Sequence, residues 1–270
     1  MTVDKSVILL LILFLLSGCA CGSIPKAGPL EKASVERQRK PSIPSKKTVV
    51  EKVIRLELPA ISNGDDVVEH LGYTASYNHE WLIPNWVAYE LTREELNGTT
   101  KGEESFRWDP DIKGKQAWRE DYSGSGWDKG HMIPRADLSF FFSNICPQNH
   151  DFNAGAWLTT EKMARRIARQ YGSVYVVCGP IVTDNKYGTI GEHKVTVPDA
   201  FFKAFLINDE GEYSAIGIVM YNSPERQLLK ASTMSVDELE EKCGLDLFSS
   251  LERTIQDEVE SKINWNKWGI

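Results

Sequence analysis

The sequence predicts an α+β fold built on a largely antiparallel sheet. Two observations carry this. After residue 50, stretches rich in β-branched and aromatic residues outnumber helical ones, and the turns between them are short and polar. One stretch, 153–171, lacks Pro, is rich in Ala, Arg, Lys and Met, and has the length of a helix of nearly five turns.

The elements follow in order. Trp86-Val-Ala-Tyr-Glu-Leu91 is rich in β-formers and reads as a strand. Residues 98–126 are polar and turn-rich, with Arg107 inside Ser-Phe-Arg-Trp-Asp-Pro. Ser123-Gly-Ser-Gly126 leads into Asp128-Lys129-Gly130-His131, which places the histidine at a loop–strand junction. Ser173 to Pro180 is a buried strand ended by a Gly-Pro turn. Lys194 to Pro198 and Phe201 to Ile207 are two further strands, and Tyr213 to Tyr221 pairs with the latter across Asn208-Asp-Glu-Gly211. Ser235 opens a late helix, and Glu238 three residues on completes a capping box.

The 270 residues suit one sizeable domain plus an N-terminal extra, and 8 Trp, 9 Tyr and 10 Phe exclude a disordered chain. Val7 to Leu16 is an apolar run too short to span a bilayer and of the length of a signal-peptide core. Leu16-Ser17-Gly18-Cys19 resembles the lipobox of bacterial lipoproteins, in which the chain is cleaved before a lipidated Cys. The division is therefore 1–18 signal peptide, 19–49 lipidated Cys19 and flexible basic tether, and 50–270 globular domain. Residues 19–49 carry seven Lys/Arg against two Glu, +5; with a neutral leader, the −7 of the chain leaves −12 on 50–270. The tether suits either an anionic membrane surface or plain solvation. The expected location is the bacterial envelope, anchored in the outer membrane or at the cell surface, with a secreted or periplasmic protein as the alternative. Among the five Cys no pair has zinc-site spacing, and Cys146 and Cys178 read as small buried residues rather than a disulfide.

The chemistry concentrates at His131. Gly130 before it permits close approach, and Asp128, Lys129 and Arg135 surround it with charge. His70, His79 and His193 have no such setting; His150 lies near Asn153. Asn153, 22 residues beyond His131, and Glu161 offer an amide and a carboxylate to a hard cation, although each also has a bland role, as helix N-cap and as solvated helix residue. On a straight α-helix their side chains lie about 12 Å apart along the axis and about 80° apart around it. Direct binding of one ion by both is therefore excluded unless Asn153 precedes the helix or one acts through water. Lys162, Arg165, Arg166 and Arg169 form a basic stripe that fits either phosphates or solvent.

These residues resemble the DNA/RNA non-specific endonucleases, whose Asp-Arg-Gly-His signature stands here as Asp128-Lys129-Gly130-His131. Similar stretches run from about Leu71 to about Phe248, among them Asn85 to Tyr89, Ser143 to Gln148, Val176 to Pro180, Pro198 to Lys203 and Gly244 to Asp246. The resemblance implies a ββα-metal active site and hydrolysis of DNA and RNA to 5′-phosphates. It implies His131 as general base, Asn153 as the one direct ligand of magnesium (or manganese or another divalent cation), and Glu161 as a group reaching the cation through water. Arg107 is the candidate cation for the pentacovalent phosphate, Asp128 shapes the site, and Lys129, Arg135 and Arg165 face substrate phosphates. Lys129 replaces the family's Arg, keeping charge but losing the bidentate fork. A homodimer is left open, and no residue points to an inhibitor protein. The competing reading is a non-catalytic nucleic-acid-binding surface lipoprotein, which the acidic globular part disfavours.

Overall fold

The computed structural model describes residues 54–97, 105–134 and 140–270. In chain order, strands β1 (Asp66–His70), β2 (Tyr73–Asn78) and β3 (Ile83–Thr92) precede a short ladder of β4 (Asp128–His131) with β5 (Ile145–Gln148). Helix α1 (His150–Phe152), a wide π turn (Asn153–Trp157) and α2 (Leu158–Tyr171) follow without a break. Then come β6 (Ser173–Ile181), a minor ladder of β7 (Thr189–Ile190) with β8 (Val195–Thr196), β9 (Ala200–Asp209), β10 (Glu212–Tyr221) and β11 (Thr233–Met234). Helices α3 (Val236–Cys243), α4 (Arg253–Glu260) and α5 (Trp265–Trp268) close the chain.

The main sheet has seven strands in the order β1-β2-β3-β6-β9-β10-β11, paired antiparallel throughout, as the α+β reading requires. Both faces are covered. Phe201, Phe205, Val176 and Val87 pack with Met163, Ala164 and Ile167 of α2. Phe202, Leu206, Val177 and Trp86 pack with Val236 and Leu239 of α3 and Val259 of α4. The period-2 alternation of β9 thus feeds two cores, which explains why Ala200 to Ile207 is buried without interruption. The β9–β10 hairpin turns on Glu210 and Gly211, both at positive φ (55° and 97°), the twist that a two-residue hairpin loop needs.

Two expectations change. The helix begins at His150 rather than Asn153, because the Asn149 side chain caps it by accepting the N–H groups of Asp151 and Phe152. His131 is the last residue of β4, at a junction of strand and loop. The strand expected at 194–198 shrinks to β8, outside the main sheet. Cys146 and Cys178 are buried free thiols, as read from sequence.

Asp199 fixes the loop after β6. Its Oδ2 accepts the N–H groups of Thr183 (2.8 Å), Asp184 (3.1 Å) and Asn185 (3.1 Å), and its Oδ1 accepts that of Lys186 (3.1 Å). Burial raises this carboxyl's pKa, but the hydrogen bonds outweigh burial and hold it below the ordinary carboxylate value. A depressed folded pKa gives stability that is present above the unfolded value of about 3.9 and is lost as pH falls through the folded one. Asp199→Asn is expected to cost about 2–3 kcal/mol at neutral pH, because an NH2 group then faces N–H donors. Thermal melting from pH 7 down to pH 3 checks this. The variant's deficit should shrink at the acid end, and a deficit independent of pH would contradict the assignment.

Candidate active site

Four register pairs build the floor: Asp128 with Gln148, Lys129 with Pro147, Gly130 with Cys146 and His131 with Ile145. The ladder then continues beyond His131. Met132 N–H donates to the Asn144 carbonyl (3.0 Å), and the Asn144 side chain accepts from Ile133 N–H (2.9 Å). The buried Cys178 thiol faces the Met132 carbonyl at 3.4 Å. Backbone on both sides of the histidine is therefore held. Gly130 is a steric necessity: a Cβ there would lie 2.0 Å from Oε1 of Gln148, a fully buried side chain. The half-buried His131 ring packs between Phe106, at 5.5 Å between centroids, and the edge of Phe140, at 5.4 Å and 88°. These aromatic walls fix the ring's orientation.

The helix is tied to this hairpin at two points. Trp157 Nε1 donates to the His131 carbonyl (2.9 Å), and Asn153 Nδ2 donates to Asp128 Oδ2 (3.0 Å). His150 Nδ1 lies 2.9 Å from the same Asp128 oxygen, so His150 joins the site. The π turn has a further effect. Residues in it rotate by less than the 100° of an α-helix, so the angle between Asn153 and Glu161 falls below the roughly 80° of a straight helix. Glu161, half-buried in the first turn of α2, comes nearer to the face that Asn153 presents.

Arg107 sits on a neighbouring segment. It bridges to Phe141, and its guanidinium lies 4.7 Å from that ring's centroid. Phe106 beside it forms part of the His131 wall, so the exposed Arg107 stands next to the histidine's pocket. Asp109 anchors this segment from below: its Oδ2 accepts from Ser143 Oγ and lies 2.7 Å from His70 Nε2, and its Oδ1 accepts Asp111 N–H. His70, Asp109 and Asp111 have metal-ligand spacing, but the Asp109 oxygens are taken up by these hydrogen bonds, so the group braces the fold. Lys129 is half-buried, with its Nζ 5.4 Å from the Phe106 ring and 5.4 Å from the Tyr122 ring. The basic stripe divides: Arg165 remains half-buried on α2, whereas Arg166 Nη2 donates to the Trp268 carbonyl and is committed to the C-terminal segment. Arg135 and Cys19 lie outside the described residues.

Two supporting residues were given no role from sequence. Lys203, on the face of β9 that carries Phe201 and Phe205, is fully buried, and its ammonium sits 3.9 Å from the Trp157 ring centroid. Burial lowers its pKa, opposed by the neighbouring Cys178 and Glu161. Trp157 therefore presents one face to a buried cation and its N–H to the His131 carbonyl. The available signal was a lysine inside the apolar string Phe201-Phe-Lys-Ala-Phe-Leu-Ile207. Such a residue needs a partner, and an aromatic face supplies it.

A divalent cation fits this donor set. The Asn153 nitrogen is committed to Asp128, which leaves its amide oxygen as the candidate direct ligand, and the Glu161 carboxylate would act through water, an oxygen-donor set suited to a hard ion. The buried Gln148 amide, opposite Asp128, has no hydrogen-bond partner among the described residues, so the site's polar capacity exceeds what these residues satisfy.

Comparison with known proteins gives the family. The chain is 32% identical to the mitochondrial nuclease EXOG of Xenopus laevis, over 70% of this chain and 60% of that protein. It is 32% identical to a nuclease of Nostoc sp., over 71% and 76%, and 29% identical to the nuclease of Serratia marcescens, over 74% and 81%. It thus spans about 60% of the length of the Xenopus relative. Among solved structures, EndoG in its complex with EndoGI superposes with a TM-score of 0.66 at 27% identity, covering 74% of this chain and 91% of that one. The profile of the DNA/RNA non-specific endonucleases matches residues 57–254, and the chain belongs to that family.

Proposed function

We propose that the protein is a magnesium-dependent endonuclease that hydrolyses phosphodiester bonds of DNA and RNA and leaves 5′-phosphates. The observation that carries this reading is the double tie between hairpin and helix, Asp128 to Asn153 and His131 to Trp157, which couples a candidate base to a candidate cation ligand. When bound, a divalent cation withdraws charge from the phosphate. Asn153 would hold it through the amide oxygen, Glu161 would act on it through water, and Asp128 would orient the Asn153 amide. His131 takes a proton from the attacking water at a ring nitrogen. The Arg107 guanidinium balances charge that grows on the equatorial phosphate oxygens. Lys129, Arg165 and Arg135 meet flanking phosphates as point charges. The bond from phosphorus to O3′ breaks, and the 5′-phosphate stays with the downstream strand.

Digestion of plasmid DNA and of RNA by the purified protein, with magnesium and with EDTA, tests this. Cutting of both polymers is expected in magnesium and none in EDTA. Equal cutting in EDTA, or tight binding without any cutting, would sink the proposal. We place this activity in residues 50–270, with 1–18 as signal peptide and lipidated Cys19 opening a tether to the bacterial envelope. Cys19→Ser is expected to shift the protein from the membrane pellet to the soluble fraction, and no shift would remove the anchor.

A further inference from the structure

Three carboxylates meet on the opposite face of the sheet from the His131 site. Asp237 and Glu240 lie on α3 and Glu260 ends α4, and one oxygen from each falls within 4.8 Å of the others. The two helices pack on that face through Val236, Leu239 and Val259, so the cluster is held by the second core. Glu260 is the telling member. Its side chain is only 5% exposed, and its Oε1 is buried without a hydrogen-bond partner among the described residues. Glu240 gives one oxygen to the Leu247 N–H (2.6 Å) and keeps the other. Asp237 is exposed, which leaves the cluster open to water. Arg253, the nearby cation, is paired with Asp257 at 2.9 Å, and Lys262 with Glu258 at 3.3 Å.

Three such groups repel one another, and a buried carboxylate needs a partner. Burial, with Glu240, Asp237 and Asp246 nearby, pushes the Glu260 carboxyl up to about 8. The spacing suits a large, hard ion. Calcium accepts such irregular all-oxygen sets, whereas magnesium demands a near-ideal octahedron and gives up its waters reluctantly.

We infer that Asp237, Glu240 and Glu260 form a structural calcium site that clamps α3 to α4, separate from the cation of the His131 site. The inference does not rest on the nuclease reading. Its test keeps the two cations apart by using the full-length Asn153→Ala protein, which lacks the ligand assigned to the other ion. Calcium chloride added after EDTA treatment and dialysis should raise Tm by roughly 5–10 °C at a hundredfold excess over Kd, with a stoichiometry near one by calorimetry. Glu260→Gln in the same background should fold, keep its melting temperature without calcium, and lose the calcium response. Asp237→Asn, at an exposed position, should weaken the response at least tenfold in calcium concentration. No calcium-dependent shift, or an equal shift in Glu260→Gln, would overturn the site and leave Glu260 as a buried protonated acid. Plasmid cleavage in magnesium by Glu260→Gln, made in the otherwise unaltered chain, should match that of the parent; a loss there would contradict a purely structural clamp.

Discussion

His131→Ala is expected to lower phosphodiester cleavage by about 10²–10⁴-fold while leaving the melting temperature within a few degrees. The ring packs against Phe106 and Phe140, while the strand that carries it is also held by backbone and by side chains of other residues: Trp157 on the His131 carbonyl and Asn144 on Ile133. Removing the imidazole would take away the proposed base and leave these ties of the hairpin in place. The loss should fall on kcat more than on KM, because a base acts as the proton moves and not when substrate docks. The pH dependence has a definite sign. Imidazolium has no free lone pair, so cleavage by the parent should fall as acid protonates the ring, and the variant's residual rate should lack that acid limb. His131→Ala with near-parental kcat would remove the base assignment while leaving the cation site intact. His150, which also reaches Asp128, would then be the next residue to change.

Local signals were the legible ones. The β9–β10 hairpin is encoded by four adjacent turn residues, and the helix at Ser235 by a capping box that forms as read. His131, Asn153 and Glu161 stood out because their spacing and types suit proton transfer and hard-cation binding, and the fold sets them on one hairpin–helix unit. The π turn was not legible. No residue preference marks a bond from i to i+5; it accompanies long-range anchors, the Trp157 indole on the His131 carbonyl and the Lys203 ammonium against its ring. The same holds for Arg166, which the periodicity places in a basic stripe facing either phosphates or solvent but the Trp268 carbonyl, 102 residues away, draws aside. The hairpin of β1 and β2 escaped as well, since Asp66, Glu69 and His70 break the apolar pattern of an edge strand that is charged on its open side. Lys203 shows the general difficulty. A lysine in an apolar strand argues against burial until the aromatic ring that receives it is known.

Asn153 decides between two simple rules, and the structure favours the less obvious one. Counting charge, Asn153→Asp should bind a divalent cation better, because a carboxylate replaces a neutral amide. The hydrogen bond says the reverse. Asn153 Nδ2 donates to Asp128 Oδ2 at 3.0 Å, so an aspartate would set two carboxylate oxygens at that distance with no proton between them. Either one carboxyl takes up a proton or the pair moves apart, and Asp128 also loses a donor that aligns it with His150. The amide can combine two jobs that a carboxylate cannot: its nitrogen donates to Asp128, and its oxygen would remain for the proposed ion. Asn153→Ala is therefore expected to raise the magnesium concentration for half-maximal cleavage by about 100-fold or more. Asn153→Asp should stay well below the parent at neutral pH, with recovery only at higher magnesium. Metal titration of cleavage by the two variants separates the rules. An aspartate variant that needs less magnesium than the parent would show that charge outweighs the hydrogen bond, and the role given to Asp128 would have to be withdrawn.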